Sequence, residues 1–514
     1  MELHWFDIAL FIAFFVVAIG TSLYKSRKEE TGEDFFLAGR GLYWPLIGLS
    51  LIAANISTEH FVGMSGQGAG IMGMAVASYE WIATITLVFV ALFFLPKFLR
   101  SGIYTIPEYL EYRYNSTARA IMALYTVAVY IGVTISAVVY SGALTLQTIF
   151  DMELMHAIWL IGGIAALYTT WGGLKAVAWA DLFQGSALII GAAVTLFLGF
   201  QAVGGVQNFF EVNADKLHMV LPSDHTVLPW TALIIGIWIP NFYYWGLNQF
   251  ITQRALASRT LRQGQLGILF AAFLKLFIPF IIIFPGIMAF QLYEPQLVGE
   301  GATTDAAYPL LIRNLIPAGL RGFIFAAIAG AVISTLASML NSVSTILTID
   351  LYKRHWKKNA SPKSLVTIGR IATLVFVVLV CLIAPALGSP KFKGIFNYIQ
   401  EFQGYISPGI LAAFVFGLIF KRTPAAGGVT ALVLCVPVYG MLQWQFAHIA
   451  FLNRMAISFG IIILAMALIT IFKPLSEPKV MPVKEDFDMR PAASVTWFGT
   501  ALIVVTIGLY ILFW

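Results

Sequence analysis

The sequence predicts an all-α membrane protein of about fourteen transmembrane helices, and three observations carry that reading. Apolar residues make up 59% of the 514-residue chain and charged residues 11%, against about 45–50% and roughly 25% in soluble domains. The apolar residues form long unbroken runs over the whole length, with a mean hydropathy of +0.85. The Lys and Arg residues gather in alternate connections between those runs. Lipid admits only helices and closed barrels, because each unpaired backbone group costs several kcal/mol there. Barrel strands are short and alternate apolar with polar residues. Runs of about 20 apolar residues do not, so helices follow.

In chain order the runs cover 6–24, 44–70, 73–98, 117–149, 156–171, 179–199 and 229–253, then 264–291, 317–349, 366–387, 394–419, 427–447, 454–473 and 495–513. The first follows MELHWFD, which lacks the basic residues of a cleavable leader, so 6–24 is expected to be retained. The stretch 44–98 is nearly continuous and the run 156–171 is short. Cys381 and Cys435 both lie inside apolar runs and read as small core residues rather than a disulfide. The longest connections, near 200–228, 292–316 and 474–494, are too short for a separate folded unit, so residues 1–514 read as one membrane domain.

Of the 31 basic residues, 24 fall in one set of connections, 6 in the other, and Lys275 lies inside a run. Basic residues are retained on the cytoplasmic side. That places the 350–366 connection inside and both termini outside, in a multi-pass protein of the plasma (inner) membrane. The net charge of +6 therefore records orientation in a lipid bilayer, not a nucleic-acid surface.

Polar residues at depth mark a substrate or ion path. Asn55, Ser57, Thr58, Glu59 and His60 interrupt the second run and are followed by the glycine-rich GMSGQGAG. They cover more than one face of a helix, so the helix is expected to break there and expose carbonyls. Ser334, Ser338, Ser342 and Thr345 share a face in the ninth run, with Thr335 beside them. Hydroxyls in such a row serve close helix packing, and also supply hard oxygen ligands for a cation. In the seventh run, WIPNFYYWGLNQ sets Asn241, Tyr243, Tyr244 and Trp245 around Pro240, where a break or kink is expected. Glu80 and Lys275 are deep enough to need a partner, and balance one another or bond a polar guest. Asp181, Gln400 and Glu401 lie near the ends of runs. Two interruptions five runs apart are the pattern of an inverted 5+5 repeat. No Arg falls at depth in any run.

These residues resemble the sodium/solute symporter family, and most closely its bacterial sodium–galactose and animal sodium–glucose members. The segments EDFFLAGRGLYWPLIGLSLIAANIS, ASYEW, GIYTIPEYLEYRY, YTTWGGLKAVAWADLFQ, FAAFLKLFIPF, VISTLASMLNSVSTI and YIQEFQGYISPGIL carry the resemblance over nearly the whole chain. It implies a leucine-transporter-like fold. The extra N-terminal helix would be 6–24, the first repeat 44–199, the second 229–419, and three additional helices would occupy 427–513. It implies a co-transported sodium ion held by the carbonyls of Ala53, Ile56 and Ala331 and the hydroxyls of Ser334 and Thr335, with Asp181 on a possible ion path. A sugar would meet Asn55, His60, Glu80, Asn241, Lys275 and Gln400. Tyr244 resembles an inner gate, and Met64, Tyr79 and Phe396 an outer one. His60, Ala83 and Thr134 stand where the bacterial galactose pattern has Gln, Ser and Asn.

The expected function is sodium-coupled import of a neutral hexose by alternating access. The same fold carrying a polyol, a sialic acid or an amino acid is the alternative. A carboxylated solute calls for a dedicated Arg or the positive end of a half-helix. His60 and Glu80 could form the acid–base pair of a membrane enzyme, but no nucleophile motif or metal cluster accompanies them, and no enzyme is expected. A channel filter motif is likewise missing from the sequence.

Overall fold

The computed structural model describes residues 5–26, 36–57, 59–150, 152–299, 303–317, 319–388, 395–484, 488–490 and 492–514. Among these the regular structure is helical, with one isolated bridge between Leu42 and Ser258. Ten helices are long and apolar enough to cross a membrane. The number is twelve when each of two bent pairs counts as one span: Trp44–Asn55 with Glu59–Ala69, and Phe396–Gln403 with Ser407–Ile419. The expectation of about fourteen is narrowed at two places. The stretch expected as 229–253 is divided into Trp230–Ile234, Trp238–Leu247 and Gln249–Leu256. The spans expected at 156–171 and 179–199 correspond to the apolar helix Leu154–Leu167, which is shorter than the helices counted, and to the span Leu174–Ala202, both within one continuous helical stretch, Leu154–Ala202.

That 49-residue stretch cannot be straight. A Cβ on Gly142 would meet both Val332 and Ile161, while a Cβ on Gly330 would meet Gln184. A straight helix would separate residues 161 and 184 by roughly 35 Å, yet their neighbours on the facing helix are only two residues apart. The stretch therefore doubles back, and each limb packs on the same partner.

That partner, Arg321–Thr345, is the centre of the bundle and is buried along nearly its whole length. The N-terminal helix Trp5–Ser26 is tied to its start. The Asp7 carboxylate accepts hydrogen bonds from the Gly319 and Gly322 amides at 3.0 and 2.9 Å. These are amides that a helix N-terminus cannot pair internally. A Cβ on Gly322 would lie 2.0 Å from the Asp7 carbonyl oxygen, so the contact requires glycine.

Two interruptions position the site. Helix Trp44–Asn55 ends where Ile56 turns extended (φ −76°, ψ 107°), and the chain resumes at Glu59 with a bend of 57°. The break expected from the polar run is there; Thr58 lies outside the described residues. The break expected around Pro240 is also there: helix Trp230–Ile234 stops at Ile235, and the next begins at Trp238. Pro240 sits in the first turn of Trp238–Leu247, where its missing amide costs nothing. A further interruption falls at Asn248, which is extended (φ −86°, ψ 123°), and a new helix starts at Gln249. The Asn248 side chain takes a hydrogen bond from the Tyr130 hydroxyl, which fixes the interruption.

Candidate functional site

Between the two breaks lies a small polar cavity of about 50 Å³. The second half of the first broken helix contributes Glu59, His60 and Met64, and its first half contributes Asn55. Helix Ser78–Phe89 adds Tyr79 and Glu80, Trp238–Leu247 adds Asn241, Tyr244 and Trp245, and Ile395–Gln403 adds Phe396, Gln400 and Gln403. The residues expected for a sugar and its gates thus converge, with one exception. Lys275 is fully buried and stands behind the wall rather than in it.

From there Lys275 organises the wall. Its ammonium donates to the Glu80 carboxylate and to Asn55 Oδ1, and lies 4.9 Å over the Trp245 ring. The expected balance between Glu80 and Lys275 is therefore a direct ion pair. On the cavity side, His60 Nε2 is 3.4 Å from Glu80 Oε1. Asn55 Nδ2 donates to the Tyr244 hydroxyl at 2.9 Å. Asn241 donates to the Ile237 carbonyl at 2.9 Å, which leaves its own oxygen available. His60 Nδ1 and the Tyr79 hydroxyl are buried without a hydrogen-bond partner.

Aromatic contacts flank the cavity. Tyr79 and Phe396 pack edge to face at 5.0 Å beside Met64, and all three are buried. Opposite them Tyr244 packs on Trp245 and Phe250, with ring centroids at 5.1 and 5.5 Å.

A second polar cluster lies beside the first break. The break deprives Ala53, Ala54 and Asn55 of the amides that would follow in a continuous helix. Thr335 donates its hydroxyl to the Ala54 carbonyl at 3.0 Å, and Ser334 donates to Asp181. Asp181, expected near a span end, is fully buried. It also accepts from Ser50 and from Arg254 at 3.0 Å. Arg254, one residue beyond the run 229–253, joins this cluster. It was assigned to an inner connection, but it is fully buried and donates to Ser50, Ser338 and the Phe250 carbonyl as well. Its cost is met by Asp181, whose charge it neutralises. The hydroxyl row does face one way: Ser342 donates to Gln253, and the Thr345 hydroxyl accepts from it at 3.4 Å.

Sequence reasoning did not assign Glu59, Trp245 or Gln403 to the wall. Glu59 and Trp245 lay inside the polar and aromatic clusters already singled out, so their composition was a signal. Gln403 is one turn beyond Gln400, which helical spacing alone would have placed on the same face. Glu59 also alters the charge expected of the cavity. Lys275 is matched by Glu80, and Glu59 adds a carboxylate.

Broken helices around a central cavity, with a polar cluster at the first break, define a secondary transporter of the leucine-transporter-like class. Two solved structures share the fold. A Na⁺-coupled sialic acid symporter in a substrate-bound outward-open state superposes with a TM-score of 0.83 at 22% identity, over 93% of this chain and 100% of that one. The nucleobase-cation-symport-1 family transporter MHP1 in a closed conformation gives 0.56 at 13% identity, over 86% and 95%. Within that class, a model of the sodium:solute symporter family matches residues 35–435, and the chain belongs to this family. A sodium/glucose cotransporter of Vibrio parahaemolyticus is 39% identical over 100% of this chain and 99% of its own. A sodium/myo-inositol cotransporter 2 of Oryctolagus cuniculus is 33% identical over 83% and 68%. The protein is a multi-pass membrane transporter that couples solute movement to sodium, and not an enzyme.

Proposed function

We propose that the chain imports a neutral, polyhydroxylated solute of hexose size together with sodium. One observation carries this reading. The cavity wall offers amides, an imidazole and two carboxylates, while Lys275 stands behind it, matched to Glu80. A carboxylated solute finds no unmatched cation in this wall, and Arg254 is enclosed by Asp181, Ser50 and Ser338. A sugar hydroxyl both donates and accepts, so it suits carboxylates and amides together. Its ring has an apolar face for Tyr244. Sites built to bond hydroxyls discriminate strongly against solutes lacking them, because the buried groups are left unpaired.

In this reading the solute meets Asn55, His60, Glu80, Asn241 and Gln400, and Lys275 orients Asn55 and Glu80. Tyr244 closes the inner side, and Met64, Tyr79 and Phe396 the outer. Sodium binds where the first helix breaks, on the carbonyls of Ala53, Ile56 and Ala331 with the hydroxyls of Ser334 and Thr335. Both hydroxyls donate their protons, to Asp181 and to the Ala54 carbonyl, so their oxygen lone pairs are left to face the ion. Asp181 then lies on the ion's path. The 44–199 and 229–419 segments act as the two inverted repeats, in a plasma membrane with both termini outside. The names of the relatives support a sugar or a cyclic polyol such as myo-inositol, whose hydroxyls the same wall would bond.

The test is sodium-driven uptake into proteoliposomes with glucose, galactose, myo-inositol, proline and a sialic acid. Uptake of a hexose or the polyol, abolished without sodium, is expected. Uptake of proline or the sialic acid alone would refute the solute assignment.

A further inference from the structure

Three polar side chains behind the outer gate are not explained by solute or sodium binding. Glu401 lies on the gate helix Ile395–Gln403, on the face opposite Phe396, Gln400 and Gln403. Its Oε1 accepts from Arg454 and, at 3.0 Å, from Gln443 Nε2. Gln443 in turn accepts from the Tyr405 hydroxyl. Arg454 is buried and lies 5.7 Å from the Tyr439 ring centre. Gln443 and Arg454 belong to helices Ala425–Gln445 and Phe451–Phe472, and both fall beyond the residues that match the family.

These contacts straddle a pivot. The gate helix and Ser407–Ile419 meet at a bend of 46°. Ser407–Ile419 is held to the C-terminal helices, since a Cβ on Gly409 would lie 2.6 Å from Cys435. At the bend, Gly404 lies against the Tyr439 ring, where a Cβ would come within 2.2 Å. The gate helix closes the cavity through Phe396 on Tyr79, so a solute passes only if this helix moves. Phe396 is eight residues from Gly404, a lever of about 12 Å, and Glu401 is on a lever of about 5 Å. A swing that opens roughly 6 Å at Phe396 shifts Glu401 by about 2–3 Å. That displacement ends a hydrogen bond.

We propose that Arg454 and Gln443 are positioning residues of the outer gate. Through Glu401 they hold the gate helix in its closed position, and this tie is broken and remade in each transport cycle. The two C-terminal helices thus take part in transport although they do not line the cavity. The inference rests on sodium symport by this chain, and not on which solute it carries.

The full-length Glu401→Cys/Arg454→Cys variant in proteoliposomes tests it. Oxidation should abolish sodium-driven uptake, and a reductant should restore it. The single cysteine variants, treated identically, should keep their own rates. Undiminished uptake by the cross-linked protein would overturn the proposal. A second readout holds if no disulfide forms. Glu401→Gln releases the tie and favours the outward-open state, so half-saturation by external sodium should fall about threefold or more while turnover drops. Damage to the fold alone would lower uptake without improving sodium affinity, and an unchanged or raised half-saturation would overturn the proposal. The charge-exchanged Glu401→Arg/Arg454→Glu protein should regain the parent half-saturation.

Discussion

The buried pair of Glu80 and Lys275 offers a quantitative test. Glu80 is 3% exposed and Lys275 is fully enclosed by Glu80, Asn55 and Trp245. Glu80→Gln leaves the ammonium without its counter-charge, and Lys275→Gln does the same to the carboxylate. Removing one member of a buried pair costs about 3–5 kcal/mol. In the double variant two neutral amides face each other, and most of that penalty disappears. The two substitutions should therefore couple by at least about 2 kcal/mol, roughly thirtyfold in an equilibrium constant. Chemical unfolding of the four proteins in detergent, followed by tryptophan fluorescence, measures the coupling. Additivity within about 0.5 kcal/mol would mean that the pair does not exist as described. The same four proteins test the position of Lys275. Because it stands behind the wall, its influence on solute affinity runs through Asn55 and Glu80. Once Glu80 is Gln, adding Lys275→Gln should change solute affinity less than it does in the parent protein. An equal loss in both backgrounds would place the ammonium on the solute instead.

Ser334→Ala and Thr335→Ala should each weaken sodium activation more than solute affinity at saturating sodium, because a dehydrated cation needs several oxygens and loses one; overlapping sodium curves would refute the site. Tyr244→Phe keeps the ring and loses the hydrogen bond from Asn55, worth about 1 kcal/mol, so uptake should fall only several-fold. Tyr244→Ala should uncouple uptake from sodium, and equal loss with Phe would assign the role to the hydroxyl. Cysteines at positions 359 and 514 should label from opposite faces of the membrane, and labelling of both by an impermeant reagent on intact cells would overturn the topology. Gly286→Ala would place a Cβ 2.2 Å from the Ser65 carbonyl oxygen, so it should destabilise the protein by about 1–3 kcal/mol and impair outer-gate closure; a parent-like unfolding curve would contradict that packing.

Much of the site was legible because polar residues are costly in lipid. The run from Asn55 to His60 had no reason to lie mid-span unless the helix opened there, and it does. Glu80 and Lys275, 195 residues apart, each needed a partner at depth and found one another. Pro240 marked a real interruption, because proline disturbs the turn before it, and the helix is broken between Ile234 and Trp238. The interruption at Asn248 carries a weaker signal, since an Asn before Gln is tolerated in many backbones.

The sequence by itself determined that this chain is a bundle of membrane helices and which polar residues are out of place in lipid. Those properties follow from composition and spacing along the chain, because the bilayer imposes the same thickness and the same penalty on every span. Only the tertiary structure decided that Arg254 is buried against Asp181, and that Lys275 stands behind the wall. It also decided that Glu59, Trp245 and Gln403 join the cavity, and that the 154–202 stretch folds back on itself. The reason is physical. A membrane helix is apolar on its lipid face and on its core face alike, so hydropathy places it in the bilayer but leaves its rotation open. Rotation is set by partners far away in sequence: Asp181 meets Arg254 across 73 residues, and Asn55 meets Lys275 across 220.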